Sequence, residues 1–220
     1  MKNIIIFILF CISIIACDST NSLENSEGRW WTEDDHQLII SELNRTTNEL
    51  RVELENVTDD QWNFREDPTR WSIAEIVEHL EMQNQLHFRE ISVISNAPHY
   101  LKFRSITEGK DAFFSNYSTD TTRSKAKWFL EPSGKFCSRR DGEAAFYKVR
   151  GELTQLIEQT DVDFRKQFTF RVSMEGKDIA NIKIGQVRDL HQLLLTGIAH
   201  TDRHLHQIRK IKQHRDYPKK

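Results

Sequence analysis

The sequence has no long basic block. Its 31 Lys and Arg face 33 Asp and Glu over 220 residues, a formal net charge of −2, so no nucleic-acid surface is expected. It also lacks an apolar run long enough for a comfortable membrane span. The run from Ile4 to Ala16 falls short of the roughly 20 residues a spanning helix needs. Cysteine is scarce: Cys11, Cys17 and Cys137 are the only three. What remains is 38% hydrophobic and 29% charged, the composition of a soluble globular chain. The length suits one domain with a tail or a long insertion. The basic end, KIKQHRDYPKK, reads as a solvated helix terminus, where the helix dipole favours cations.

The N-terminus, MKNIIIFILFCISIIACDST, places Lys2 before the apolar run, the pattern of a secretory signal. Ile14-Ile15-Ala16-Cys17 resembles a bacterial lipobox. That resemblance implies cleavage before Cys17 and lipidation of its sulfur. Residues 1–16 are then a signal peptide and residues 17–28, polar and small, a lipid-anchored linker. Removing Lys2 with the signal leaves 30 basic and 33 acidic side chains, formally −3. Cys137 is then alone in the folded part and cannot form an internal disulfide. The expected location is the cell envelope, lipid-anchored to a bacterial membrane and facing the periplasm or the surface.

Four segments have helical periodicity. The first runs from about Thr32 to Asn56, with Leu38, Ile39, Leu43, Leu50 and Leu54 on one face. The second opens on Ser72-Ile73-Ala74-Glu75, the S-x-x-E form of a capping box. Its stripe is Ile73, Ile76, Val77, Leu80, His87, Ile91 and Ile94. The third covers about Gly142 to Thr160. The fourth covers about Gln186 to Gln213, with Val187, Leu190, Leu193, Leu194, Leu205, Ile208 and Ile211 inward.

Roughly 45 residues separate the second and third helices, far more than a bundle connection needs, so those two helices need not be antiparallel. KQFTFRVSMEGKDIANIKIG, before the fourth, has the alternation of a short hairpin. The expectation is an all-α fold: a four-helix bundle over residues 29–213 with a long crossover between helices two and three. A short hairpin-like insertion separates helices three and four, and residues 214–220 form a basic tail. Trp30 and Trp31 precede the first helix and would cap the bundle end.

Histidines cluster on the fourth helix. His200 and His204 lie about 40° apart on one face, on the inner flank of the apolar stripe, where two imidazoles can reach one metal ion. His206 and His191 point away by about 120° and 180° and are expected in solvent. A third ligand must come from another helix. The second offers His79 on the flank of its stripe and His87 within it, the latter reading as a core histidine. An H-x-x-x-H pair alone is also common by chance.

DPTRWSIAEIVEHL (67–80), followed by HTDRHLHQI (200–208), resembles the DinB/YfiT-like superfamily. Trp71, Ser72, Glu75, His79 and Leu80 match the first part of its pattern, and His200, His204, Gln207 and Ile208 the second. QWNF before the second helix and FLEPSG (129–134) extend the likeness over roughly residues 30–212. The resemblance implies a four-helix bundle whose histidines hold a divalent metal, zinc or nickel. Carried over, the ligands are His79, His200 and His204. Three imidazoles with open positions suit a catalytic metal site.

The expected function is a metal-dependent hydrolase whose bound ion activates water. The alternatives are a non-catalytic metal- or ligand-binding lipoprotein, or a thiol-dependent transferase, which an address outside the cytoplasm disfavours. Gln83 and Gln207 lie one turn after His79 and His204, near the site, but neither is a base. No catalytic residue is assigned, because Glu75 is explained by capping and Cys137 lies in a loop. The expected partners are a small-molecule substrate, a membrane reached only through the lipid anchor and a possible homodimer, with no nucleic acid.

Overall fold

The computed structural model describes residues 28–116, 126–171, 173 and 177–219. The signal segment, Cys17 and the linker up to residue 27 lie outside the described residues. Four long helices dominate: α1 (Glu33–Leu54), α2 (Ile73–Ile94), α3 (Arg139–Glu158) and α4 (Leu190–Lys212). Each begins at a side chain that takes up free backbone N–H groups. Thr32, Ser72 and Asp189 form capping boxes with Asp35, Glu75 and Gln192, and Ser138 accepts from the Asp141 amide. Among the described residues, no helix is long and apolar enough to cross a membrane.

Ion pairs fix the directions of the helices. Arg45 bonds Asp202, and Arg209 bonds Glu49 and Glu53, at a nearly constant offset of 156 to 160 residues. Helices α1 and α4 therefore run parallel. Arg139, at the start of α3, donates to the Leu54 carbonyl at the end of α1, so those two are antiparallel. The long crossover leaves α2 parallel to α3. Around the bundle, α2 packs on α3 and α4, and α1 packs on the same two.

Two apolar clusters fill the bundle, and a smaller third one, Phe103, Phe168, Ile182 and Val187, lies at the hairpin. Ile39, Leu43, Ile91, Leu153, Ile157, Leu190 and Leu194 form one end. Leu50, Leu54, Ile76, Leu80, Phe146, Leu205 and Ile208 form the other. Buried polar groups such as Thr46, His87, Arg150 and Thr201 occupy the level between them. Trp62 is fully buried and donates to the Phe136 carbonyl. Gly142 makes room for it, since a Cβ there would lie 2.7 Å from Trp62 Cζ2.

The described part of the crossover holds short helical turns, Leu101–Phe103, Arg104–Thr107, Asp111–Ser115 and Trp128–Leu130. Asp111 is tied to the bundle end through Arg165, which also reaches Asp35 and Asp189. Between α3 and α4, β1 (Phe168–Phe170) pairs antiparallel with β2 (Val187–Asp189). The hairpin-like insertion is present, but its second strand begins later than expected. Val187, assigned by periodicity to the fourth helix, lies in β2, and the helix starts only after the Asp189 cap.

Two further expectations need correcting. Leu38 is 47% exposed rather than inside. His191 is 1% exposed, because Trp31 and the Asp35–Arg165–Asp111 cluster close over it; its Nδ1 accepts from Trp31 Nε1 at 3.1 Å. Trp31 is itself fully buried at this end and stacks on Phe164. At the other end Gln61 donates to the Pro218 carbonyl and Tyr217 meets Phe64 edge-on, so the C-terminal segment is docked.

Candidate metal centre

The capping box at Ser72 sets the start of α2 and so puts His79 in its second turn. The antiparallel neighbour α4 presents His200 and His204 one turn apart on the facing side. His79 Nε2 lies 2.9 Å from His200 Nε2, and His204 Nε2 lies 3.2 Å from the same atom. One ligand atom from each residue falls within 4.8 Å of the others, so the three could hold one metal ion. Nitrogens about 2.0–2.1 Å from a shared ion sit about 3.0–3.4 Å apart; the 3.2 Å spacing falls in that range and the 2.9 Å spacing just below it.

The other ring nitrogens are turned outward to acceptors. His79 Nδ1 donates to the Leu130 carbonyl at 2.8 Å, and His204 Nδ1 to Gln207 Oε1 at 3.0 Å. An oxygen acceptor requires the proton on Nδ1, which leaves the Nε2 lone pairs free to point at each other. Such an orienting partner accompanies most metal-bound histidines. Burial lowers the pKa of all three rings. His200 is held at about 3, with His79, His87 and Arg203 adding to the effect. Burial outweighs the bond to Leu130 at His79, and His204 falls well below the ordinary value. All three are neutral near pH 7, the form that ligates metal.

Ring contacts and hydrogen bonds surround the triad. Trp71 lies 4.8 Å from the His79 ring and stacks at 6.1 Å on His204, forming one wall. The Leu130 carbonyl belongs to the crossover, which is held by Glu78, the residue before His79. The Glu78 carboxylate accepts from Ser133 N and Oγ, Gly134 N and Lys135 N, at 2.7 to 3.1 Å. Gly134 has φ +79, a conformation that favours glycine and lets successive amides face one carboxylate. Burial pushes the Glu78 pKa up, but these bonds outweigh it and hold the group below the ordinary carboxylate value. Lys135 adds an ion pair to Glu81 at 2.7 Å.

The sequence-predicted residues separate cleanly. His79, His200 and His204 come together. Gln207 touches the site through His204. Gln83 instead donates to His87 Nε2 at 2.7 Å, making His87 a bonded core histidine that is 3% exposed. His206 is exposed, and Cys137 is an exposed free thiol. Sequence reasoning missed Trp71, Glu78 and the Leu130 carbonyl as neighbours of the triad. FLEPSG carried the only signal for the last.

A sequence profile described as DinB superfamily matches residues 42–208, from within α1 to within α4, and includes all three histidines. The chain belongs to the DinB superfamily. No curated protein and no solved structure matches the chain significantly. The DinB-like, predominantly helical fold agrees with that membership. Within it, the two sequence blocks that mark the superfamily contribute one and two histidines to a single cluster.

Proposed function

We propose that this DinB-superfamily chain binds a divalent ion, zinc or nickel, through His79, His200 and His204, and hydrolyses a small-molecule substrate at the cell envelope, anchored through Cys17. One observation carries the reading: three neutral imidazoles converge through Nε2, two of them locked by Nδ1 bonds to oxygen. A bound divalent ion supplies Lewis acidity and brings the pKa of a water ligand toward neutrality. The chain supplies the rest. Leu130 and Gln207 fix the ring orientations, and Trp71 shields one side of the cluster. Glu78 holds the crossover in place, and His200 is only partly exposed, beside the buried His79 and His204.

The test is a hydrolysis panel of small esters, amides and phosphoesters, run with the full chain stripped by chelator and reloaded with zinc or nickel. The reading expects turnover only after reloading, lost in His204→Ala and retained in His206→Ala. A reloaded protein that holds its metal and hydrolyses nothing would instead favour the non-catalytic metal-binding alternative.

A further inference from the structure

The hairpin end of the bundle leaves large aromatic side chains in solvent. Tyr100 is 42% exposed, Phe113 55% and Phe170 36%. They belong to one surface. The Tyr100 and Phe170 ring centroids lie 6.3 Å apart, and both rings adjoin the buried Phe103, at 6.2 and 5.0 Å. After Phe170, the Arg171 amide donates to the carbonyl of Gln186, which follows Gly185. An added Cβ at Gly185 would lie 3.3 Å from the Phe113 ring, so Phe113 flanks that turn. Single exposed apolar residues are ordinary, whereas a joined set marks an interaction surface.

Cations surround this set. The Lys102 ammonium lies 5.3 Å from the Phe103 ring centroid. The Lys110 carbonyl accepts from the Phe113 amide, and the Lys183 carbonyl from the Gln186 amide. These three lysines and Arg171 are exposed. The neighbouring acids are offset: Glu108 pairs with Arg104, Asp111 with Arg165, and the exposed Asp178 stands beside Lys177. Among the described residues, the surface is net positive.

The chain enters the bundle at the same end. Helices α1 and α4 both start there, and Arg29 is bonded to the Asp161 and Val162 carbonyls just beyond α3. Arg104, next to Phe103, places its guanidinium 4.1 Å from the Trp30 ring centroid. Only residues 18–28 separate Cys17 from Arg29. A stretch of that length reaches at most about 40 Å, and a flexible one averages about 20 Å.

We propose that this face docks on an anionic lipid surface, with Tyr100, Phe113 and Phe170 at the headgroup boundary and the four cations on lipid phosphates. Amphipathic aromatic rings favour that boundary, and Lys and Arg beside it are drawn to a negatively charged leaflet. A short tether makes such contacts effectively intramolecular. The proposal extends the anchoring through Cys17, while the surface itself is the same whatever holds the N-terminus. His79 lies in the second turn of α2, near the opposite end, so docking turns the triad away from the lipid.

The experiment is amide hydrogen exchange, read by mass spectrometry, on the full chain with its native N-terminus. Three preparations are compared: detergent, excess phosphatidylcholine vesicles, and excess vesicles of phosphatidylcholine and phosphatidylglycerol at about 3:1. Exchange slowed about tenfold or more over residues 100–114 and 182–187, in the mixed vesicles alone, is expected. The effect should vanish in the double variant Lys102→Glu/Arg171→Glu and in Phe113→Ser, all at exposed positions. It should persist in Lys148→Glu, an exposed site on α3. Co-sedimentation reports anchoring separately. A chain that stays in solution with neutral vesicles contradicts anchoring through Cys17, and protection by the mixed vesicles still decides the docking. Equal exchange in neutral and mixed vesicles, or protection that survives the double charge reversal, overturns the proposal. So does protection in detergent that grows with protein concentration, which would put a second copy of the chain on this face.

Discussion

At the scale of single residues, the triad depends on neighbours that ligate nothing. Glu78 fixes residues 133–135, and through them the carbonyl that orients His79. Glu78→Ala is therefore expected to weaken metal binding about 10- to 100-fold, and Gln207→Leu to weaken it similarly by releasing His204. Competition against a chromophoric chelator measures both, and wild-type affinity in both variants would contradict the positioning role. The histidines themselves were legible in the sequence. Helical spacing aligns His200 with His204, and the likeness of 67–80 and 200–208 to a known pattern selects His79 over His87. The Leu130 carbonyl was not legible, because a main-chain acceptor 51 residues away carries no side-chain signature.

At the scale of elements, helix starts were the clearest part of the sequence. Ser72 with Glu75 places the start of α2 to the residue, since the cap chemistry is local. The start of α4 was set too early. Val187 fits an apolar helical stripe as well as it fits a short strand, and only the pairing with Phe170 decides between them. His191 was misplaced for a related reason. Periodicity describes the face turned to the other helices and is blind to Trp31 and the crossover closing on the opposite face.

Tight element packing gives a direct prediction. Gly142→Ala forces a methyl group against the buried Trp62 ring and is expected to cost about 1–3 kcal/mol in denaturant unfolding. Unchanged stability would show that Trp62 can move aside.

At the scale of the molecule, two apolar clusters are joined through a polar level, and one end is closed by charged groups around His191. Burial, with Arg165 adding to it, holds the His191 pKa at about 4 against an ordinary 6.5. The folded value lies below the unfolded one, so between those limits the unfolded chain binds the extra proton. The stabilisation is full above pH 6.5 and is lost as pH falls toward 4. Relative to His191→Gln, the wild type is expected to lose stability over that window, by at most about 1.4 kcal/mol per pH unit. Parallel stability–pH curves for the two proteins would contradict this.

That one ion is held jointly by α2 and α4 is tested most directly by elemental mass spectrometry of the purified full chain. His79→Ala, His200→Ala, His204→Ala and the exposed-site control His206→Ala belong beside it. About one equivalent of a divalent metal is expected, lost in the three triad variants and kept in the control. No metal in the wild type even after reconstitution with zinc and nickel, or equal metal in the triad variants, would contradict it.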